Sequence, residues 1–207
     1  FNPLLIPVTW FWSRVLGSIF VYDLFVSLYR TAELRDIHPL LVNIIYYIER
    51  VTLFLPNYHL TETEQFADLY AEVYGIRRDR IVPLPVGVDE RWFSPREVPS
   101  KDDFTVLYWG NFLPHHGVDS IIDAVAELDG DKVESRGLSN TRFLGRVPME
   151  DLVDWVAAAD ICLGIFSSDI RARASITNKV SEGVAMGKPV VTMDSQAIRD
   201  WFTDRED

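Results

Sequence analysis

Residues 175–195 read SITNKVSEGVAMGKPVVTMDS. A polar turn of Ser175, Thr177 and Asn178 leads into a short helix, predicted over Asn178–Met186, that carries Lys179 and Glu182. Gly187 stops the helix, because a glycine just past the last turn takes the left-handed conformation. Lys188-Pro189 then leads into the apolar strand Val190–Met193. Ser, Thr and Asn ahead of a helix satisfy its free N–H groups. Those groups, together with the positive end of the helix dipole, make a helix start an anion site. Lys179 adds a cation there. Glu182 lies three residues on, on the same helix face, where it can accept hydrogen bonds from sugar hydroxyls. A diphosphate joined to a ribose suits this pair. Taken by itself, the pair fits an exposed Lys–Glu couple on a surface helix better.

The same helix-then-strand grammar recurs on either side. Helices are predicted over Leu4–Leu16, Pro39–Phe54, Thr63–Tyr74, His116–Leu128 and Asp151–Ala158. Strands are predicted over Ser18–Tyr22, Tyr58–Thr61, Arg80–Pro85, Thr105–Trp109, Thr141–Leu144 and Ile161–Phe166. Thr63 caps its helix and Gly75 ends it. Pro39–Phe54 is apolar on most faces and reads as a buried helix; Thr105–Trp109 reads as a buried strand. Strands alternating with helices imply parallel sheets with crossover helices. Arg91–Asp103 is polar and holds Pro95 and Pro99, the mark of an interdomain linker. Open parallel sheets bind ligands outside the carboxyl ends of their strands. Three such ends, Gly110–Gly117, Phe166–Thr177 and Pro85–Asp89, would face one cleft if two such domains pack across the linker.

Composition narrows the classes. The chain has 207 residues, 48% of them hydrophobic, so a core is available and global disorder is not expected. Thirty-one acidic against 20 basic residues give a net charge of -11, which argues against a nucleic-acid backbone as partner. The single cysteine, Cys162, lies in an apolar run and reads as a buried core thiol, so no disulfide or zinc spacing exists within the chain and a reducing cytoplasm fits. The apolar segments near Trp10-Phe11-Trp12 and Tyr46-Tyr47 are broken by charges and fall short of the ~20 apolar residues of a spanning helix. Their aromatics are of the kind found at membrane interfaces, and core helices explain them at least as well.

Four blocks, in order, resemble the GT-B glycosyltransferases, specifically glycosyltransferase family 4. IFVYDLFVSLYRT (19–31), with the helix ending in Glu49-Arg50, resembles the later part of the family's N-domain. VPLPVGVDERWFSP (82–95) resembles its crossover segment. VLYWGNFLPHHGVDSIIDAVAEL (106–128) resembles the first C-domain strand, glycine loop and helix. RFLGRVPMEDLVDWVAAADICLGIF (142–166) resembles the next strand–helix–strand. The resemblance implies an α/β fold of two Rossmann-like parallel-sheet domains. Residues 1–95 would be the end of the acceptor-side N-domain, 96–103 the linker and 104–207 the nucleotide-sugar-binding C-domain. It also implies an incomplete copy: an N-domain truncated at its start, and a C-domain without its last helices and without one βα unit, ~20 residues, between Leu128 and Arg142.

The implied activity is transfer of a sugar from a nucleotide-sugar donor to a hydroxyl acceptor, retaining the anomeric configuration and using no metal or other cofactor. The donor site would comprise Ser175, Thr177, Asn178, Lys179 and Glu182, with Gly110, Asn111, His116 and Gly117 opposite. Glu182 would hold the ribose and Lys179 the diphosphate. Family members commonly carry a second glutamate upstream, where this chain has Ala174. The usual arginine after the first glycine is Asn111, and the usual lysine before Gly117 is His116. No catalytic residue is assigned. The acceptor is expected to be a glycan or lipid-linked molecule, and the location cytoplasmic, open to peripheral contact with the cytoplasmic membrane face. The departures leave two rivals: a GT-B module that binds without catalysing, and a sugar-nucleotide epimerase. Weaker candidates are Asp23, read as a solvated or capping aspartate, and Asp169, Arg171 and Arg173, read as a solvated charged loop; His59 and Glu62 near a strand end resemble no catalytic pair.

Overall fold

A computed structural model describes residues 5–25, 27–33, 35, 37–98, 103–128 and 141–203. The chain divides into two compact units, Phe1–Pro85 and Val86–Asp207. Each is built around a parallel three-stranded sheet.

In the first unit α1 (Ile6–Val15) precedes β1 (Val21–Asp23). Helices α2 (Leu28–Glu33) and α3 (Pro39–Thr52) cross over to β2 (Tyr58–Thr61), and α4 (Glu64–Tyr74) crosses to β3 (Ile81–Pro83). The strand order is β1-β2-β3, with Val21 opposite Tyr58 and His59 opposite Ile81. Thr63 Oγ1 accepts from Phe66 N–H at 3.1 Å, and Gly75 closes α4 at φ 71°. The core gathers Ile6, Phe20, Leu24, Leu53, Tyr70, Tyr74 and Ile81.

A buried carboxylate organises this unit. Glu49 is 1% exposed. It accepts from the N–H groups of Leu28 and Tyr29 at 2.9 Å each, from Ser27 Oγ at 2.9 Å and from Tyr74 O–H at 2.7 Å. Ser27 Oγ in turn accepts from Arg30 N–H at 3.0 Å. Two side chains therefore satisfy the free amides that begin α2, one from its own turn and one from a neighbouring helix. Burial and the negative charge of Glu49 push the Tyr74 phenol well above its ordinary value, so it stays a hydrogen-bond donor.

In the second unit β4 (Val106–Leu107) is followed by α5 (Val118–Leu128) and α6 (Met149–Ala158). Then come β5 (Ile161–Leu163), α7 (Ile170–Ala174), α8 (Asn178–Ala185), β6 (Val190–Val191) and α9 (Gln196–Arg199). The order is β4-β5-β6, with Val106 opposite Ile161 and Cys162 opposite Val190. The core holds Phe93, Trp109, Val153, Val156, Cys162 and Met186, with Val88 and Trp92 packed against it. Val88, Trp92 and Phe93, which the sequence groups with the first domain, thus bury their apolar surface in the second unit.

Several expectations need correction. Helix α3 buries only Glu49 and Thr52, while Leu40, Leu41, Tyr47 and Val51 are exposed. Its contact face is the one that carries Glu49 to α2 and packs Tyr46 against the core, so apolarity all round did not mean burial. β4 is short and Val106 is half exposed, because β4 lies at the edge of the described sheet and has one neighbour. Thr141–Leu144 joins no sheet among the described residues. Cys162 is fully buried as expected, and burial pushes its thiol up to about 11. The stretch between Leu128 and Thr141, where a βα unit is expected, lies outside the described residues.

Replacing Glu49 with Ala leaves the amides of Leu28 and Tyr29 without their acceptor, while the Ser27 and Tyr74 hydroxyls, 2.5 Å apart, keep only each other. Urea denaturation is expected to show a loss of about 3 kcal/mol, against about 1 kcal/mol for Tyr74→Phe, which removes one donor.

Candidate functional site

All nine residues singled out in the sequence lie in the second unit, at the carboxyl ends of its strands. Parallel strands end there in loops rather than hairpins, so their side chains and amides converge. Two loops are pinned to each other. Phe166 N–H donates to the His116 carbonyl at 3.0 Å, and Gly117, at φ 67°, lies so near that a Cβ on it would sit 1.9 Å from the Phe166 carbonyl oxygen. Only glycine fits both the left-handed backbone and this approach.

Gly110 meets α8 in the same way. A Cβ at Gly110 would lie 2.8 Å from Lys179 Cε and 2.9 Å from Nζ, so the glycine opens the path that the lysine takes. Lys179 is 7% exposed. Its Nζ stands 5.2 Å from the centroid of the Tyr108 ring, and among the described residues no hydrogen bond or ion pair reaches it. Burial lowers its pKa, and the charge of Glu182 partly restores it. The ammonium is thus largely stripped of water and held by an aromatic face.

Glu182, one turn on, accepts from the Trp109 indole N–H at 2.8 Å. Thr177 precedes α8 in an extended conformation with no side-chain cap bond, and its buried Oγ1 finds no partner among the described residues. The expectation that the Ser, Thr and Asn of this turn satisfy the free amides of α8 is not met by Thr177, whose side chain makes no cap bond. Asn178 is exposed at the first position of α8, and Ser175 ends α7.

His116 does not stand free in solvent. Its Nδ1 lies 2.8 Å from the Asn111 carbonyl and 3.3 Å from the Tyr108 hydroxyl. A carbonyl only accepts, so Nδ1 carries the proton and a neutral ring presents Nε2 as an acceptor. Burial, then the charge of Lys179, lowers its pKa, which favours that neutral form. Asn111 takes part through its main chain, and its side chain is exposed. Burial pushes the Tyr108 phenol up to about 12. Its ring lies nearly parallel to that of Phe112, centroids 6.1 Å apart.

Asp169 caps α7 by accepting from Arg171 N–H at 2.9 Å, and it pairs with the Arg171 guanidinium. The hydrogen bond from Arg171 holds the carboxyl down at about 2. Arg173 is exposed, and Ala174 is buried. Tyr108 and Trp109 were not selected from the sequence. Their signal was there in VLYWG: an apolar strand whose last two residues are large aromatics with polar tips, one of them an N–H that must find an acceptor when buried.

A family model for glycosyl transferases group 1 matches residues 103–207. The chain belongs to this family. Its fold is shared by sucrose-phosphate synthase from Thermosynechococcus elongatus, at 15% identity and a TM-score of 0.66 over 96% of this chain. It is shared also by Anabaena HepE, solved in complex with UDP, at 17% identity and a TM-score of 0.70 over 98%. The chain spans 56% and 60% of those two chains. No curated protein matches it. The expected GT-B architecture of α/β units with parallel sheets is therefore the observed one.

Gly117→Ala adds a methyl group where the Phe166 carbonyl already lies, at positive φ, and is expected to destabilise the second unit by about 3 kcal/mol in urea denaturation. Gly187→Ala, also at positive φ but with open space around it, serves as the control and costs about 1 kcal/mol. Asp169 has its pKa depressed in the folded state, so its contribution is complete above the unfolded value and is lost as pH falls through about 2. Comparing Asp169→Asn with the parent across pH 2–6 is expected to show a gap of about 1 kcal/mol at pH 6, after solvent screening, that closes toward pH 2.

Proposed function

We propose that the protein transfers a sugar from a nucleotide-activated donor to a hydroxyl acceptor, with the donor's ribose and diphosphate at α8 and the Gly110–Gly117 loop. The observation that carries this reading is Lys179: an ammonium buried under Gly110 and Tyr108, without a counter-ion among the described residues, one turn from a glutamate. Departure of a sugar loads negative charge onto the diphosphate, and a cation already placed and desolvated there lowers the barrier. Glu182 supplies the acceptor for ribose hydroxyls. Loop amides around Gly110 and Gly117 supply further donors, and glycine is the residue that lets a phosphate approach a backbone closely. His116, whose Nδ1 is held by the Asn111 carbonyl, keeps Nε2 as an acceptor while neutral and would become a phosphate donor on taking a proton.

The reading draws support from the family and from the UDP bound by HepE, which shares the fold. Transfer is taken to retain the anomeric configuration, and no metal or cofactor enters it; the nucleotide-sugar is a substrate. The acceptor is a glycan or a lipid-linked molecule. Exposed Phe11 and Trp12 on α1 suit peripheral contact with a membrane that carries it. No described helix is long and apolar enough to cross a membrane. The single buried cysteine suits a reducing cytoplasm.

A second reading is a GT-B module that binds the donor without catalysing. Ala174 favours it, since a buried methyl group stands where related proteins have a carboxylate.

Thermal melting in the presence of UDP-, GDP- and ADP-sugars tests the proposal. A donor at a hundred times its Kd adds about 2.7 kcal/mol to stability and raises the melting temperature by several degrees. Glu182→Ala is expected to weaken donor binding about tenfold by calorimetry. No response to any donor overturns the reading, and unchanged affinity removes Glu182 from the site. Binding with no turnover favours the second reading, whereas release of free nucleotide without an acceptor marks an epimerase.

A further inference from the structure

Trp109 belongs to the core of the second unit, 9% exposed, yet its one polar atom is spent on a charged group. The indole N–H donates to Glu182 Oε2 at 2.8 Å, across 73 positions of sequence. Oε1 accepts no hydrogen bond among the described residues. A hydrogen bond to a carboxylate is shorter and stronger than one between neutral groups. A glutamate on a helix otherwise samples several rotamers, and each freedom lost on binding subtracts from affinity. Tyr108, the preceding residue, holds the face of its ring toward the Lys179 ammonium. Adjacent residues of one strand end thus fix the two charged side chains of α8.

We infer that Trp109 is a positioning residue for hydroxyl recognition: by holding Oε2 of Glu182 it leaves Oε1 set as the acceptor for a ribose hydroxyl of a nucleoside diphosphate. This rests on the nucleotide reading of the site. A core tryptophan that merely satisfies its N–H would have the same bond but no effect on which ligands bind.

Trp109→Phe keeps most of the ring's bulk and removes the N–H. Calorimetry with UDP and with 2′,3′-dideoxy-UDP on the full chain separates the two roles. The parent is expected to favour UDP about tenfold, a preference that falls below about threefold in Trp109→Phe while affinity for the dideoxy compound is unchanged. An undiminished preference overturns the inference and leaves the nucleotide reading standing. If the parent binds GDP or ADP instead, the same pair is used in that base series; if it binds none of the three, both fall. Should Trp109→Phe not fold, the indole N–H resonance of Trp109 in the ¹⁵N-labelled parent, identified by its displacement in Glu182→Gln, decides. UDP is expected to move it and dideoxy-UDP to leave it in place. Equal shifts from both overturn the inference.

Discussion

The candidate site of the second unit depends on one steric constraint: the Phe166 carbonyl occupies the space where a side chain at position 117 would be. Main-chain hydrogen bonding from Phe166 to His116 holds the two loops at that distance. From this contact the rest is arranged. His116 is turned so that its ring meets the Asn111 carbonyl, and the 3₁₀ turn Pro114–His116 leads directly into α5. The loop ahead of it leaves room over Gly110 for Lys179. A site of backbone approach has little slack, since interiors are packed as closely as organic crystals. That rigidity is what lets a half-buried glutamate and a desolvated lysine keep fixed places on a helix of eight residues.

The first unit solves a related problem with a charge. Its sheet is also parallel and short, and the segment after β1 turns at once into α2. The free amides of that helix start would be costly to bury unmet. Glu49, brought in from α3, meets two of them and adds a favourable charge at the positive helix end. The hydroxyls of Ser27 and Tyr74 complete its coordination, so a buried carboxylate becomes a structural centre. One unit thus builds on a steric exclusion and the other on a satisfied ion.

What could be read in the sequence was whatever rested on local rules. Thr63 and Gly75 bounded α4 because cap and stop are properties of single residues. The alternation of elements announced parallel sheets, and the ordered blocks announced the family. What could not be read were partners set by the fold. Nothing near Trp109 in sequence names Glu182, 73 positions on, and nothing near Ser27 names Glu49. Polarity misled as well: α3 was judged by its apolar residues, while the face that packs is the one bearing the glutamate. Thr177 had the chemistry of a cap, yet its hydroxyl makes no bond to the amides that follow it. His116 could be named as a candidate, but its tautomer follows from a carbonyl five residues away that folds back on it.

Gly183 bears on how this protein could change. A Cβ there would lie 2.8 Å from Val190 Cγ2 and 3.3 Å from Cys162 Cβ, so α8 rests directly on the sheet just past Glu182. A side chain at position 183 would force Val190 or α8 itself to shift, and with α8 its two charged side chains. Asn111, Phe112 and Leu113, by contrast, are exposed at the rim. Substitutions that alter which ligand is held are therefore better tolerated at the exposed rim than at the seam beneath α8, where added volume has no free space.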